Sequence, residues 1–427
     1  MKRKDFFKTV FGTFAAANIP GFNSPNDHPI RSLERWPTID PADERFWRFV
    51  RAQFPLANDR AYLNTGGLGA SPYVVIDAVK MKMDELEKVS ETGHTDEIWK
   101  EIKGGAAQLL GCEAEELAFT RNTTEGINIA CNGFPLRRGD EIITTTHEHV
   151  GNSIPWLAVK MREGIVIKLF EPSTTSAQEN IDRIQKLITK KTRLISIPHA
   201  TTTTGQILPI KEISRLAASK NVWLFVDGAQ TAGMFPFDLH DLGCDAFATS
   251  GHKWLLGPKE TGLLYVKKEM LDTIQARFVG AYSDNGFDLV KGTLNFHPSA
   301  QRYEYGTVNI PMRVGLGAAI SFLQKIGMEN VWRRDQALST YLFNGLHQIP
   351  GISILSPVNE AERSAMITFR HEKLQFPELQ RHLSTYELRT RAVSEGGVNA
   401  LRVSTHIYNN FEELDRVLEG TRTATTK

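Results

Sequence analysis

Disulfide frameworks and metal knuckles both need clustered cysteines, and this chain has few: Cys112, Cys131 and Cys244 stand far apart in 427 residues. Their odd number and wide spacing exclude both arrangements and leave packing as their role. Charge of one sign is also missing. Lys plus Arg number 50 against 49 Asp plus Glu, a formal charge of +1, and no basic tract interrupts the mixture as nucleic-acid binding requires. A small-molecule ligand is therefore expected. Hydrophobic residues make up 41% of the chain, yet no long uncharged run is present, so no membrane span is expected. Internal repeats and low-complexity tracts are absent.

The length implies two domains and room for a buried site. Residues 1–30 read as a signal-like or disordered segment. Met1-Lys-Arg-Lys-Asp-Phe-Phe-Lys8 precedes the modestly apolar Thr9 to Ala17 and a Pro/Asn/Ser-rich spacer, an order that suits export. Arg3 to Lys8 resembles a twin-arginine signal with lysine as its second basic residue, which points to the periplasm. A cytoplasmic tail fits the same residues. Residues 31–65 are read as a segment joining the small domain, 66–310 as a large domain, and 311–427 as a small α+β domain.

From residue 116 onward, short apolar runs alternate with amphipathic helical patterns. Strands are expected at Glu116–Thr120, Glu141–Thr146, Ile165–Phe170, Arg193–Pro198 and Val222–Val226, with helices between them. That alternation predicts an α/β fold with a mainly parallel central sheet, covered on both faces by helices. Such sheets bind ligands at the carboxyl ends of their strands. The rule singles out Thr120 to Glu125, Thr146 to His149, Ala200 to Gly205 and Asp227 to Gln230.

Each strand end carries usable chemistry. Arg121-Asn-Thr-Thr-Glu-Gly126 opens a helix, where free backbone N–H groups attract an anion and Thr123 and Thr124 add hydroxyls. An ordinary cap by either threonine fits the same sequence. His149 offers a flat ring. His147 and His149 lack a third ligand at helical spacing, so no metal is expected. Asp227 follows Val-Trp-Leu-Phe-Val, and a carboxylate buried there needs a cation or full hydrogen bonding. A pyridinium nitrogen would supply that partner. Lys253 lies in Ser250-Gly-His-Lys-Trp-Leu-Leu-Gly-Pro258, where desolvation would lower its pKa and make it a nucleophilic Schiff-base amine. The combination points to pyridoxal 5'-phosphate (PLP).

Thr-Thr-Glu-Gly, Glu-His-x-x-Asn, Val-Asp-Gly-Ala-Gln and Ser-Gly-His-Lys, in that order, make the chain resemble the class V aminotransferase family of fold-type I PLP enzymes from about Trp47 to Glu419. The resemblance implies that Thr123 and Thr124 form the phosphate turn, that His149 stacks on the pyridine, and that Asp227 pairs with its nitrogen. Gln230 would meet the phenolic oxygen, Ser250 and His252 the phosphate. Lys253 would carry the cofactor. Gly306 and Thr307 resemble a loop that reaches a neighbouring subunit's phosphate, implying a homodimer with its site near the interface. Arg402 matches the arginine that grips a substrate α-carboxylate, with Asn64 beside the substrate.

Cysteine desulfurases of this family use a cysteine on a loop before that arginine. Here Arg389 to Gly397 contains none. The Thr201-Thr-Thr-Thr-Gly205 turn and the Arg391-Ala-Val-Ser-Glu-Gly-Gly397 loop look more like the isopenicillin N epimerase-like branch. The leading expectation is thus an epimerase acting at the α-carbon of an amino acid or small peptide. Transamination comes next, then a carbon–sulfur lyase that takes its leaving group from the substrate, and last a non-catalytic PLP-binding relative.

Overall fold

A computed structural model of the chain describes residues 36–425; the export-signal expectation falls outside the described residues. Helix Glu44–Arg51 is the first helix among the described residues. Asp43 caps it by accepting the Arg45 N–H at 2.8 Å, and its buried face carries Phe46, Trp47 and Val50. Strand β1 (Ala61–Tyr62) then leads through Asn64 and a glycine turn to helices Tyr73–Glu87 and Asp96–Leu110.

The central sheet is built from β2 (Leu117–Thr120), β3 (Glu141–Thr145), β4 (Val166–Phe170), β5 (Thr192–Pro198), β6 (Trp223–Asp227), β7 (Ala246–Ser250) and β8 (Gly262–Val266). Their spatial order is β2-β8-β7-β6-β5-β3-β4. Neighbours from β7 to β4 are parallel, and β8 runs antiparallel to both β7 and β2. Strands in the middle are continuous apolar runs because helices cover both faces; β7 and β8 are buried at every residue. The edge strand β4 is instead largely exposed and carries Lys168, which discourages pairing with another chain.

A hairpin follows, β9 (Asp284–Asp288) with β10 (Thr293–Phe296), which the sequence pattern did not show. Helix Ile310–Ile326 follows. It packs against helices Tyr73–Glu87 and Asp96–Leu110, and its apolar residues share their core. Beyond helix Met328–His347 lies a four-stranded antiparallel sheet of β11 (Ile352–Ile354), β12 (Met366–His371), β14 (Arg391–Val393) and β15 (Ala400–Ser404), in the order β11-β12-β15-β14. Helices Phe376–Ser384 and Phe411–Thr425 cover it. Leu338, Leu342, Phe369, Leu401, Val403 and Val417 fill the space between.

β13 (Leu388–Arg389) pairs in parallel with β1, and Asn64 bridges Ser404. The N-terminal segment is thereby hydrogen-bonded to the C-terminal sheet before it reaches the large one. Gly69 lies so close to the Lys253 turn that an added Cβ would stand 1.9 Å from the Lys253 carbonyl oxygen; its own N–H donates to the His252 carbonyl at 2.7 Å. Among the described residues no helix is long and apolar enough to cross a membrane.

Candidate active site

The carboxyl ends of β2, β3, β6 and β7 meet around a pocket of about 290 Å³. Thr123, Thr124, His149, Asp227, Ser250, His252 and Lys253 all line it, as do Gly66, Asn122, Thr202 and Arg391. Another hollow, of about 1050 Å³, opens where lysines and glutamates from Asp96 to Gln301 mix, and it holds none of these residues.

Helix Thr123–Gly133 starts at the mouth. Its cap is Asn122, whose Oδ1 accepts the Glu125 N–H at 2.9 Å, rather than either threonine. Asn122, in extended backbone immediately before the helix, reaches its first turn and leaves Thr123 for other work. Thr123 Oγ1 and Ser250 Oγ stand 2.5 Å apart, and the buried His252 Nδ1 has no partner. Hydroxyls, an imidazole and a helix N-terminus at one end of the pocket suit a phosphate.

His149 caps the helix Val150–Glu163, its Nδ1 accepting the Gly151 N–H at 3.0 Å. Burial first, then the charges of Lys253 and Arg391, push its pKa down to about 4. Its ring is therefore neutral, as stacking on a cationic heterocycle favours. Asp227 ends β6 with 5% exposure, and one of its oxygens accepts the Ala229 N–H at 2.9 Å. Burial raises its pKa, while that N–H and Lys253 oppose the rise. Lys253 is pushed down to about 8, chiefly by burial; Asp227 resists, and Arg402 and Arg391 add to the fall. An amine so placed is a nucleophile near neutral pH. An acid, a neutral ring, a softened amine and an anion cradle thus fit PLP, which Asp227, His149, Lys253 and the Thr123/Ser250/His252 end would hold.

Other expected residues take different places. Gln230 donates to the Gly66 carbonyl at 2.8 Å and accepts the Trp254 indole N–H at 2.7 Å, so its amide braces the floor instead of lining the pocket. Gly306 and Thr307 line a separate recess beside Trp99 and Tyr282. Arg402 is fully buried, with its guanidinium against Gly66 of the pocket lining. One terminal nitrogen donates to the Thr202 carbonyl and hydroxyl, both at 2.8 Å, and the other to Asn64 Oδ1 at 3.3 Å. These acceptors are neutral, and its Nε has no partner. Burial first, then Arg391, lowers it to about 9.

Arg391, which the sequence pattern marks only as part of a loop, lines the pocket. It is ion-paired with Glu395, while its other terminal nitrogen is buried without a partner. The signal that could have found it was a second arginine on a strand beside the one carrying Arg402. In the same loop Gly396 has φ of 60°, and a Cβ there would lie 2.6 Å from the Thr146 carbonyl oxygen. None of the three cysteines lines the pocket. Cys131 and Cys244 are buried, and burial pushes Cys131 up to about 12.

The chain matches the family Aminotransferase class-V over residues 71–417. It is 30% identical over 396 residues to the cysteine desulfurase of Salmonella newport (strain SL254), covering 87% of this chain and 96% of that protein. The structure of the cystine C-S lyase C-DES in complex with its reaction product cysteine persulfide superposes with a TM-score of 0.79 at 28% identity, over 87% of this chain and 99% of that one. The cysteine desulfurase CsdA of Escherichia coli gives a TM-score of 0.79 at 25% identity, over 91% and 99%. Motifs, fold and pocket chemistry converge: the chain belongs to the class-V aminotransferase family of PLP-dependent enzymes.

Proposed function

We propose that the chain is a carbon–sulfur lyase acting on a sulfur-bearing α-amino acid such as cystine, with the sulfur departing as the substrate's own leaving group. One observation carries the reading. Its relatives are desulfurases and a C-S lyase, yet no cysteine lines this pocket and Gly396 leaves no room for a side chain in the loop beside it.

PLP held here would supply an electron sink for the α-carbon. Lys253, soft at about 8, would take the α-proton; the electron pair left at the α-carbon would form the α,β double bond as the β-carbon–sulfur bond breaks with its own pair going to sulfur. Asp227 would supply the negative charge that the pyridinium nitrogen needs. Arg402, buried without a carboxylate, supplies the cation for the substrate's α-carboxylate, with Thr202 and Asn64 fixing its plane.

The desulfurase and C-S lyase relatives favour a lyase over the epimerase that the motifs put first. An epimerase needs a second proton carrier besides Lys253. The two histidines of the pocket, His149 and His252, are both held near 4 by burial first and Lys253 next, which makes each a weak base. A homodimer belongs to the proposal. Gly306 and Thr307 stay outside their own chain's pocket, and the nearby hairpin exposes Phe287, Leu289 and Val290.

The test is to incubate holoenzyme with cystine, cysteine and sulfur-free amino acids in deuterated water, for wild type and for a variant in which all three cysteines are replaced. The lyase predicts equal amounts of released sulfur species and pyruvate from both proteins. Alanine as the co-product, or deuterated and inverted substrate with no sulfur release, overturns it.

A further inference from the structure

The residue after Lys253 is gripped by side chains far along the chain. Trp254 is fully buried, and its carbonyl oxygen accepts from His406 Nε2 at 3.1 Å. On the far side of that ring Nδ1 stands 2.9 Å from Asp335 Oδ2. Asp335 and His406 are both wholly buried, and the carboxyl's other oxygen has no partner among the described residues. A carbonyl can only accept, so Nε2 carries a hydrogen. A second hydrogen lies between Nδ1 and the carboxyl, whichever of the two holds it. The carboxyl thereby fixes the plane and tautomer of the ring.

Both ends of this relay are anchored. Asp335 lies in helix Met328–His347. His406 lies two residues beyond β15, the strand that carries Arg402, and its own backbone N–H donates to Asn409 Oδ1 at 2.9 Å. Trp254 and Tyr408 meet its ring edge-on, at centroid distances of 5.2 and 5.8 Å. The Trp254 carbonyl has little room to move, since a Cβ added to Gly233 would stand 2.3 Å from it. Two residues further on, Leu256 has φ of 60°, left-handed backbone that disfavours any residue with a side chain. The turn around Lys253 therefore needs holding from outside. His406 supplies one hydrogen bond for that, and Gln230 another on the Trp254 indole.

We propose that Asp335 and His406 are positioning residues that set the spacing between the turn carrying Lys253 and the strand carrying Arg402. The substrate carboxylate and the α-proton are handled by groups on those two elements, so their spacing decides whether the amine meets the proton. The inference rests on the PLP reading of the pocket, not on which bond the enzyme breaks.

Asp335→Asn tests the hydrogen bond apart from the charge: its amide N–H donates to Nδ1 and leaves the Nε2 hydrogen on the Trp254 carbonyl. His406→Phe keeps a ring and loses both bonds. The experiment measures, for wild type and both variants, the rate at which apoenzyme captures PLP at pH 7, the pH midpoint of the lysine-dependent visible band, and kcat and KM for cystine. His406→Phe is expected to capture PLP at least about tenfold more slowly, as a misplaced reacting group does, with a displaced midpoint, and to lose kcat by a similar factor with KM within about twofold. Asp335→Asn should stay within about threefold of wild type in every reading, because the hydrogen bond to Trp254 survives. A folded His406→Phe with the wild-type capture rate and midpoint reduces the ring to packing and overturns the inference; so does an Asp335→Asn that falls as far as His406→Phe. Where His406→Phe does not fold, Asp335→Ala, which leaves the ring unsteered, is read in the same way, and wild-type values overturn the inference. A wild type without the lysine-dependent band overturns the PLP reading and this inference with it. A normal band with no sulfur released from cystine overturns the lyase alone, and the capture rate and midpoint still decide the role of His406.

Discussion

Arg402→Met separates stability from function in a way that few buried residues do. Removing one partner of a buried ion pair usually destabilises by about 3–5 kcal/mol, because the other charge is left stranded. Arg402 has only Thr202 and Asn64 as acceptors, all neutral, so there is no such partner to strand. Holding its guanidinium at about 9 instead of its ordinary value corresponds to an unfavourable burial on the order of 5 kcal/mol, at about 1.4 kcal/mol per pH unit. Methionine relieves that term but leaves the Thr202 and Asn64 oxygens short of donors, at about 1–3 kcal/mol each. The two effects oppose: three oxygens at about 1–3 kcal/mol each against about 5 kcal/mol put the substrate-free variant between about 2 kcal/mol more stable and about 4 kcal/mol less stable than wild type in urea. Because the folded pKa lies below the unfolded one, the folded wild type binds fewer protons from about 9 upward, and its stability should rise with pH there. The variant should lack that rise. Substrate binding tells the other half: losing a charge-assisted carboxylate contact of about 1.5–3 kcal/mol raises KM roughly 10- to 150-fold. A loss above about 5 kcal/mol in stability with KM unchanged would show Arg402 to be a structural strut and refute the reasoning.

Two further outcomes follow from the same geometry. With Lys253 at about 8, roughly a tenth of the amine is neutral at pH 7, so the rate at which apoenzyme captures PLP should climb through pH 8 and level off near pH 9; a rise that continues past pH 10 would mean an ordinary lysine, and Lys253→Ala should show no lysine-dependent band at all. Gly396→Ala forces a Cβ into left-handed backbone and against the Thr146 carbonyl, a penalty of at least about 1–2 kcal/mol. Urea titration should register it, and an unchanged midpoint would mean that the loop yields freely.

How much of this was readable beforehand depended on whether a feature is local. The alternating strands and helices announced the sheet because burial on both faces writes itself as apolar runs, and β5, β6 and their neighbours came out within a residue or two of the pattern. Strand-end chemistry was readable for the same reason: Thr123, His149, Asp227 and Lys253 each terminate or follow an element whose position was already set. Gln230 and Arg402 were harder. Whether an amide points at a ligand or clasps Gly66 and Trp254 depends on chain segments more than a hundred residues apart, and no local pattern records that. Arg391 escaped for a related cause, since its place in the pocket comes from the antiparallel pairing of β14 with β15. The hairpin β9–β10 has exposed residues on most of its length, so no hydrophobic alternation marked it.

The pairing of Ala61 with Leu388 and of Asn64 with Ser404 sets an order of events during synthesis. A growing chain can form β2 to β8 early, since those strands lie together in the sequence. The loop of Gly66 and Gly69, which rests on the Lys253 turn, must wait for its anchor until nearly the whole protein has left the ribosome. Contacts of such long sequence separation close late. Nascent chains stopped before residue 388 should therefore hold the sheet but release PLP, and the completed cofactor pocket becomes a signature of the finished polypeptide.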